Sequence, residues 1–221
     1  MQMTKVKLEH IERTETIGGS DMAAILGMNK WKSREELMKE KLGFSKTEDN
    51  DAMYWGRMAE PMIAEHIALN LEEGTYLFRP GGVSQVRHPT ISCLSASPDG
   101  FICDKETHKI LEGIEIKTAF EWVLKQWKLG IPPHYNVQVQ TYMMVFSLKE
   151  WRVCALIGNR TYLEHVAQAD YFLHDEIAEA AIEFNVELNT LKEQTEGVLE
   201  NYEKLLEEKE QNTRPMGEAP S

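Results

Sequence analysis

From Gly74 to about Ile116 the chain reads as short β-rich runs, YLFRPGGVSQVRH, TISCLSAS, GFIC and ILEGIEIKT, separated by clusters of Gly, Pro and Asp. Three charged residues sit among them. Asp99 lies in the turn SPDG, and Glu115 and Lys117 follow in EIK, sixteen residues further on. The apolar pattern predicts strands packed into a core, where charges are costly unless something pairs with them. Successive strand side chains point to opposite faces. Glu115 and Lys117 therefore project together, while Ile114, Ile116 and Thr118 take the other face. Residues 104–109, DKETHK, read as a hairpin loop, and a hairpin between 101 and 116 brings Asp99 toward Glu115.

The flanking sequence is mostly helical. Residues 17–27, IGGSDMAAILG, read as a Gly-rich turn feeding a short helix, with Ser20 as N-cap and Gly27 as stop. Ser33 and Glu36 have capping-box spacing for a second helix that Gly43 closes. A third helix is expected over 51–71, with Trp55, Met58, Met62, Ile63 and Ile67 near helical spacing and Pro61 at a kink or first turn. Helical patterning returns at 119–130 and 134–147, and WRVCALIG (151–158) reads as one more buried strand. Residues 170–210 read as an acidic helix of weak amphipathicity, and 212–221 as a disordered tail. This order predicts a mixed α/β fold. A single domain is expected over 1–210, comprising a helical subregion (1–72), a core (74–160) and a C-terminal helix (168–210).

Net charge is −12, which by its sum disfavours nucleic acid as a partner. Its distribution points elsewhere. Residues 170–221 hold 14 acids and 4 bases, a balance of −10, and the other 169 residues hold 22 and 20, a balance of −2. The main body is nearly neutral and has room for a local basic groove, for which Lys125, Lys128, Lys149 and Arg152, set against Glu121 and Glu150, are candidates. No apolar run approaches the roughly 20 residues of a membrane span, and the charged N-terminus lacks a secretory h-region. Three scattered cysteines form no CxxC pair, which argues against a disulfide scaffold or a Cys-rich metal site. A reducing, cytoplasmic setting is expected.

Two carboxylates side by side repel each other, and a shared divalent cation is one natural partner. Asp99, Glu115 and the backbone carbonyl of Ile116 offer hard oxygen donors that suit Mg²⁺ or Mn²⁺ rather than zinc. Lys117 beside them would orient a water or stabilise charge developing on a phosphate. A salt-bridged strand face is the alternative reading of the same residues.

The D…(D/E)-x-K separation resembles the PD-(D/E)xK nuclease superfamily, and the neighbouring motifs narrow the resemblance. Arg13, separated by six residues from Ser20 at the GGSD helix start, WGRMAE (55–60), SPDG (97–100), EIK (115–117) and YNVQVQ (135–140) occur together over about 130 residues. In that order and spacing they resemble the lambda exonuclease and YqaJ-type viral recombinase family. The likeness fades after about residue 165. It implies a restriction-endonuclease-like core, a central mixed β-sheet flanked by helices. Asp99, Glu115 and the Ile116 carbonyl would be metal ligands, with Glu60 reaching the same site from the helical subregion. Lys117 would be the catalytic lysine, and Gln138 would help hold it or the substrate. Tyr135 shares the helix face of Gln138, three residues away, and Gln140 lies off that face. Arg13, Ser20 and Ser97 match positions that hold a 5′-terminal phosphate, and an arginine fork beside hydroxyls suits that anion.

The family implies Mg²⁺-dependent 5′→3′ hydrolysis of one strand of double-stranded DNA from a 5′-phosphorylated end, leaving a 3′ single strand. It implies two Mg²⁺ ions per site with Mn²⁺ as substitute, a homotrimeric ring, a single-strand annealing protein as partner and a bacterial cytoplasm as setting. A catalytically silent DNA-end-binding or scaffold protein on a nuclease fold is the alternative. Glu60, Asp99, Glu115, Lys117 and Gln138 are all present, which favours the enzyme. The histidines show no ligand spacing and read as incidental.

Overall fold

The structure, a computed structural model, describes residues 15–80 and 85–213. Its centre is a five-stranded mixed sheet in the order β2-β5-β6-β7-β8: β2 Thr75–Phe78, β5 Gly100–Asp104, β6 Ile110–Ala119, β7 Glu150–Ile157 and β8 Thr161–Gln168. The expected β5–β6 hairpin forms, with Gly100 opposite Ile114. β6 and β7 run parallel. Their crossover contains a 3-10 turn at Glu121–Val123, a short α4 at Leu124–Trp127 and α5 at Pro133–Phe146. The helix expected at 119–130 is therefore only these two short turns. β8 was not anticipated, because its TYLEHVAQ pattern places charge on a half-covered edge strand.

Both faces of β6 are covered. Ile114 and Ile116 pack with Ile63, Ala64 and Ile67 of α3, Asp51–Leu69. On the sheet's other face Val139, Tyr142 and Met143 of α5 join Phe101, Trp151, Val153 and Ala155 in the main core. Gly113 is required there, since a Cβ would come within 2.3 Å of the Trp151 ring.

A second, three-stranded sheet in the order β1-β4-β3 joins the N-terminal helices to this core: β1 Ile17–Gly18, β4 Leu94–Ala96 and β3 Val86–Arg87. The residues read as a Gly-rich turn thus begin with a strand, parallel to Leu94–Ser95. α1, Gly19–Ile25, has Gly18 rather than Ser20 as its N-cap, and the Gly18 N–H donates to Asp21 Oδ2 at 3.0 Å. Asp21, the third residue of the helix, accepts the N–H of the N-cap, and Ser20, the second, is exposed in the first turn. Gly19 allows α1 to touch α5, because a Cβ would meet the Tyr142 ring at 2.5 Å and the Gln138 carbonyl at 2.8 Å. α2, Arg34–Lys41, carries the expected Ser33–Glu36 capping box, and Gly43 follows it with φ +80°.

Two further expectations change. Trp55, Met58 and Met62 of α3 are exposed, and its buried residues, Ile63, Ala64 and Ile67, face the sheet. α6, Tyr171–Thr213, is anchored by a regular stripe of Ile177, Ala181, Phe184 and Leu188 against α1, α2, α5 and β4. These fall at 4-3-4 spacing, so its buried part is more amphipathic than the acidic composition indicated. Among the described residues no helix is long and apolar enough to cross a membrane.

Candidate active site

Asp99 is held where β5 begins. Its Oδ2 accepts the Ile116 N–H at 2.7 Å. The N–H and C=O of one strand residue leave the same side of the strand, so the Ile116 carbonyl faces the Asp99 side, where β5 has not yet begun to pair. One residue back, Glu115 points to the α5 face and is nearly sealed, with a side chain 4% exposed. Its Oε1 accepts from Lys117 Nζ at 2.6 Å and from Gln138 Nε2 at 2.7 Å. Gln138 also donates to the Tyr142 hydroxyl at 2.8 Å. Lys117 Nζ lies 4.9 Å from the centroid of the Tyr135 ring. The other Glu115 oxygen, Oε2, is buried with no hydrogen-bond partner.

The electrostatics follow from burial and crowding. Burial, then repulsion from Asp99, pushes Glu115 up to about 8, against the opposing pull of Lys117. Burial also raises Asp99, with Lys117, the Ile116 N–H and Arg79 opposing. Glu60 is raised by burial and then by Asp99. Lys117 is pulled down by burial, but Glu115 and Asp99 outweigh this and leave it raised and charged. The acids are short of positive charge, and the lysine is not.

Glu60 reaches this group from α3, but its carboxylate is ion-paired with Arg79. Arg79 follows β2, and its Nε also donates to the Asp99 carbonyl at 3.3 Å. Among the described residues no three His, Cys, Asp or Glu side chains converge as a ready-made metal group. A divalent ion nevertheless suits the donors. The unpartnered Glu115 Oε2, the neighbouring Asp99 and the Ile116 carbonyl are hard oxygens among acids that burial and mutual repulsion hold raised despite Lys117 and Arg79.

The remaining sequence candidates separate. Tyr135 and Gln138 share the site face as expected. Gln140 turns away, donating to the Gln168 carbonyl and accepting from the Asp170 N–H. Ser20 and Ser97 lie just past the paired residues Gly18 and Ser95, so the parallel register carries both to the same end of the small sheet. Arg13 lies outside the described residues. Arg152 does not line a basic groove: it is spent on Glu112 and Glu164, each at 2.9 Å.

Arg79 and Tyr142 were missed, and His134 was read with the other histidines as incidental. His134 has a buried Nε2 without a hydrogen-bond partner, and its ring lies 4.1 Å from that of Tyr135. The tyrosine's signal was its place four residues after Gln138, one helical turn away. Neither Arg79 nor His134 carried one.

Residues 10–149 match the model of the YqaJ-like viral recombinase domain. The chain belongs to this family. The YqaJ-like segment carries every motif named above, from Arg13 to Gln140. The chain is 33% identical over 180 residues to the uncharacterized protein YqaJ of Bacillus subtilis, covering 79% of this chain and 53% of that one. It is 27% identical over 186 residues to a protein of African swine fever virus, covering 66% of this chain and 50% of that one. It thus spans about half the length of the curated relatives it matches. Among solved structures, an alkaline exonuclease from Laribacter hongkongensis is similar, with a TM-score of 0.70 and 26% identity over 86% of this chain and 96% of that one. A phage-related exonuclease from Haemophilus somnus shares the fold, with a TM-score of 0.59 and 15% identity over 81% and 96% of the two chains. The YqaJ-family chain therefore has a mixed α/β, exonuclease-like fold.

Proposed function

We propose that this YqaJ-family chain is a Mg²⁺-dependent exonuclease that removes nucleotides 5′→3′ from one strand of double-stranded DNA. The observation that carries the reading is Glu115: a sealed carboxylate with one oxygen unpartnered, beside Asp99 and against Lys117. Asp99, Glu115 and the Ile116 carbonyl would hold the ion, with Glu60 joining from α3. Mn²⁺ is an expected substitute, and two ions per site are the family expectation. A divalent ion there supplies neutralisation of phosphoryl charge and a lowered pKa for an attacking water.

The chain's own groups do the rest. The Ile116 N–H fixes Asp99, and Gln138 fixes Glu115. Glu115 and the Tyr135 ring hold the Lys117 ammonium, which offsets negative charge building on the non-bridging oxygens. Water oxygen bonds to phosphorus as the bond from phosphorus to the terminal nucleotide's 3′ oxygen breaks. The shortened strand keeps a 5′-phosphate, so each cut regenerates the end that Arg13, Ser20 and Ser97 are read as recognising.

Duplex DNA labelled at one 5′ end or one 3′ end, with and without a 5′-phosphate, tests the reading. Progressive loss from phosphorylated 5′ ends, with mononucleotide release, is expected in Mg²⁺. Loss from 3′ ends, or intact DNA that is still bound, refutes it, and the latter leaves an end-binding protein. A homotrimeric ring and a single-strand annealing partner belong to the same proposal. Light scattering and co-purification with an annealing protein test these two points.

A further inference from the structure

Beyond Ala119 the chain leaves β6 through Phe120-Glu121-Trp122. The Phe120 and Trp122 rings stack with centroids 4.3 Å apart and planes 9° apart. Both lie in the open, 55% and 76% exposed. The segment that carries them is firmly seated. Trp127 is buried in the main core, and Val123 and Leu124 pack against it. Stacked on each other and left out on an anchored segment, the two rings present a flat, exposed π surface.

Their position and charge identify the chemistry of a matching ligand. Phe120 comes three residues after Lys117, just past the end of β6, so the chain carries the stack no more than about 10 Å from the Lys117 backbone. Lys125 and Lys128 follow Trp122 at three-residue steps, and both are exposed. The nearby acid, Glu121, is paired with Arg160 at 3.6 Å. A flat π-face with neighbouring cations matches a base with its flanking phosphates. An apolar protein surface would gain nothing from the lysines. Stacking is also indifferent to sequence, which suits an enzyme that must accept each base in turn.

We propose that the Phe120–Trp122 stack is a nucleobase platform: an unpaired base of the DNA end lies on the open face of Trp122, and Lys125 and Lys128 meet the phosphates beside it. This rests on the DNA-processing reading above. The test uses the full chain in EDTA, so that the strand is not consumed. The probe is a 5′-phosphorylated duplex with a short unpaired 5′ end carrying 2-aminopurine, whose fluorescence falls when it stacks. Wild type is expected to bind and quench. Trp122→Ala should bind about tenfold more weakly and lose the quench, and Trp122→Phe should keep most of both. Equal binding and quench in wild type and Trp122→Ala overturns the platform. So does a change in oligomeric mass of Trp122→Ala without DNA, which would make the stack a self-association face. A wild type that binds no DNA in EDTA or in Ca²⁺ refutes the nuclease reading itself.

Discussion

Gln138 donates its side-chain amide to the same Glu115 oxygen that Lys117 holds, at 2.7 Å from a buried turn of α5. Its second contact, to the Tyr142 hydroxyl, fixes the amide's orientation. Gln138 is thus a positioning residue that aims Glu115 and leaves Oε2 free. Gln138→Ala should lower both divalent-ion affinity and hydrolysis by about 10- to 100-fold, the usual cost of losing a group that orients a ligand. Calorimetric titration with Mn²⁺, alongside circular dichroism to show an intact fold, checks this.

Gly19 acts on the same residues from the other side. A Cβ there would lie 2.5 Å from the Tyr142 ring and 2.8 Å from the Gln138 carbonyl, and the latter, being backbone, yields little. Gly19→Ala should destabilise the fold by about 1–3 kcal/mol, as overpacking does. It should also reduce activity through the displaced Gln138. Urea denaturation gives the first quantity and rate per folded molecule the second.

The Glu115 carboxyl gives the ion-free protein a particular pH dependence. Its folded pKa, about 8, is above the ordinary 4.5. Between those values the native state keeps a proton that the unfolded state has released, so this group's contribution to stability falls as pH rises from about 4.5 to about 8. Lys117 is also raised, and its contribution is lost only above its ordinary 10.5, outside this window. In EDTA, the Tm difference between Glu115→Gln and wild type should shift in favour of the variant from pH 5.5 to pH 8. Mg²⁺ should raise the wild-type Tm more at pH 8 than at pH 5.5. A difference that stays flat with pH contradicts the assignment.

Arg79 competes for Glu60. The pair is partly exposed, with side chains 36% and 26% accessible, so it is worth at most about 1 kcal/mol. Arg79→Gln frees Glu60 for an ion and should tighten Mn²⁺ binding by about two- to fivefold, the equivalent of that energy. Unchanged or weaker binding in the titration would show that Arg79 helps build the site instead.

The sequence made the centre legible where local rules were strong. Alternation placed Glu115 and Lys117 on one face, the SPDG turn and DKETHK loop folded Asp99 back to Ile116, and three-residue spacing joined Tyr135 to Gln138. The α2 cap was equally plain in Ser33 and Glu36. What failed was anything set by what lies opposite. Helical spacing on α3 does not say which apolar side is covered, so Trp55, Met58 and Met62 read like Ile63 and Ile67. Arg152 looked like a groove cation until Glu112 and Glu164 arrived from neighbouring strands. Arg79 belongs to no motif in the sequence, although it touches Glu60 and the Asp99 carbonyl in the fold. Its meeting with Glu60, nineteen residues away, depends on β2 pairing with β5.

Glu115 and its neighbours are proposed above as a metal-dependent hydrolytic centre. Mn²⁺ binding and nucleotide release from a 5′-phosphorylated duplex, measured on the same samples of wild type, Glu115→Gln and Lys117→Ala, test it most directly. Wild type should bind the ion and cut only when it is present, Glu115→Gln should lose both, and Lys117→Ala should bind but not cut. Cutting by wild type in EDTA, or cutting by Glu115→Gln at the wild-type rate, would contradict it.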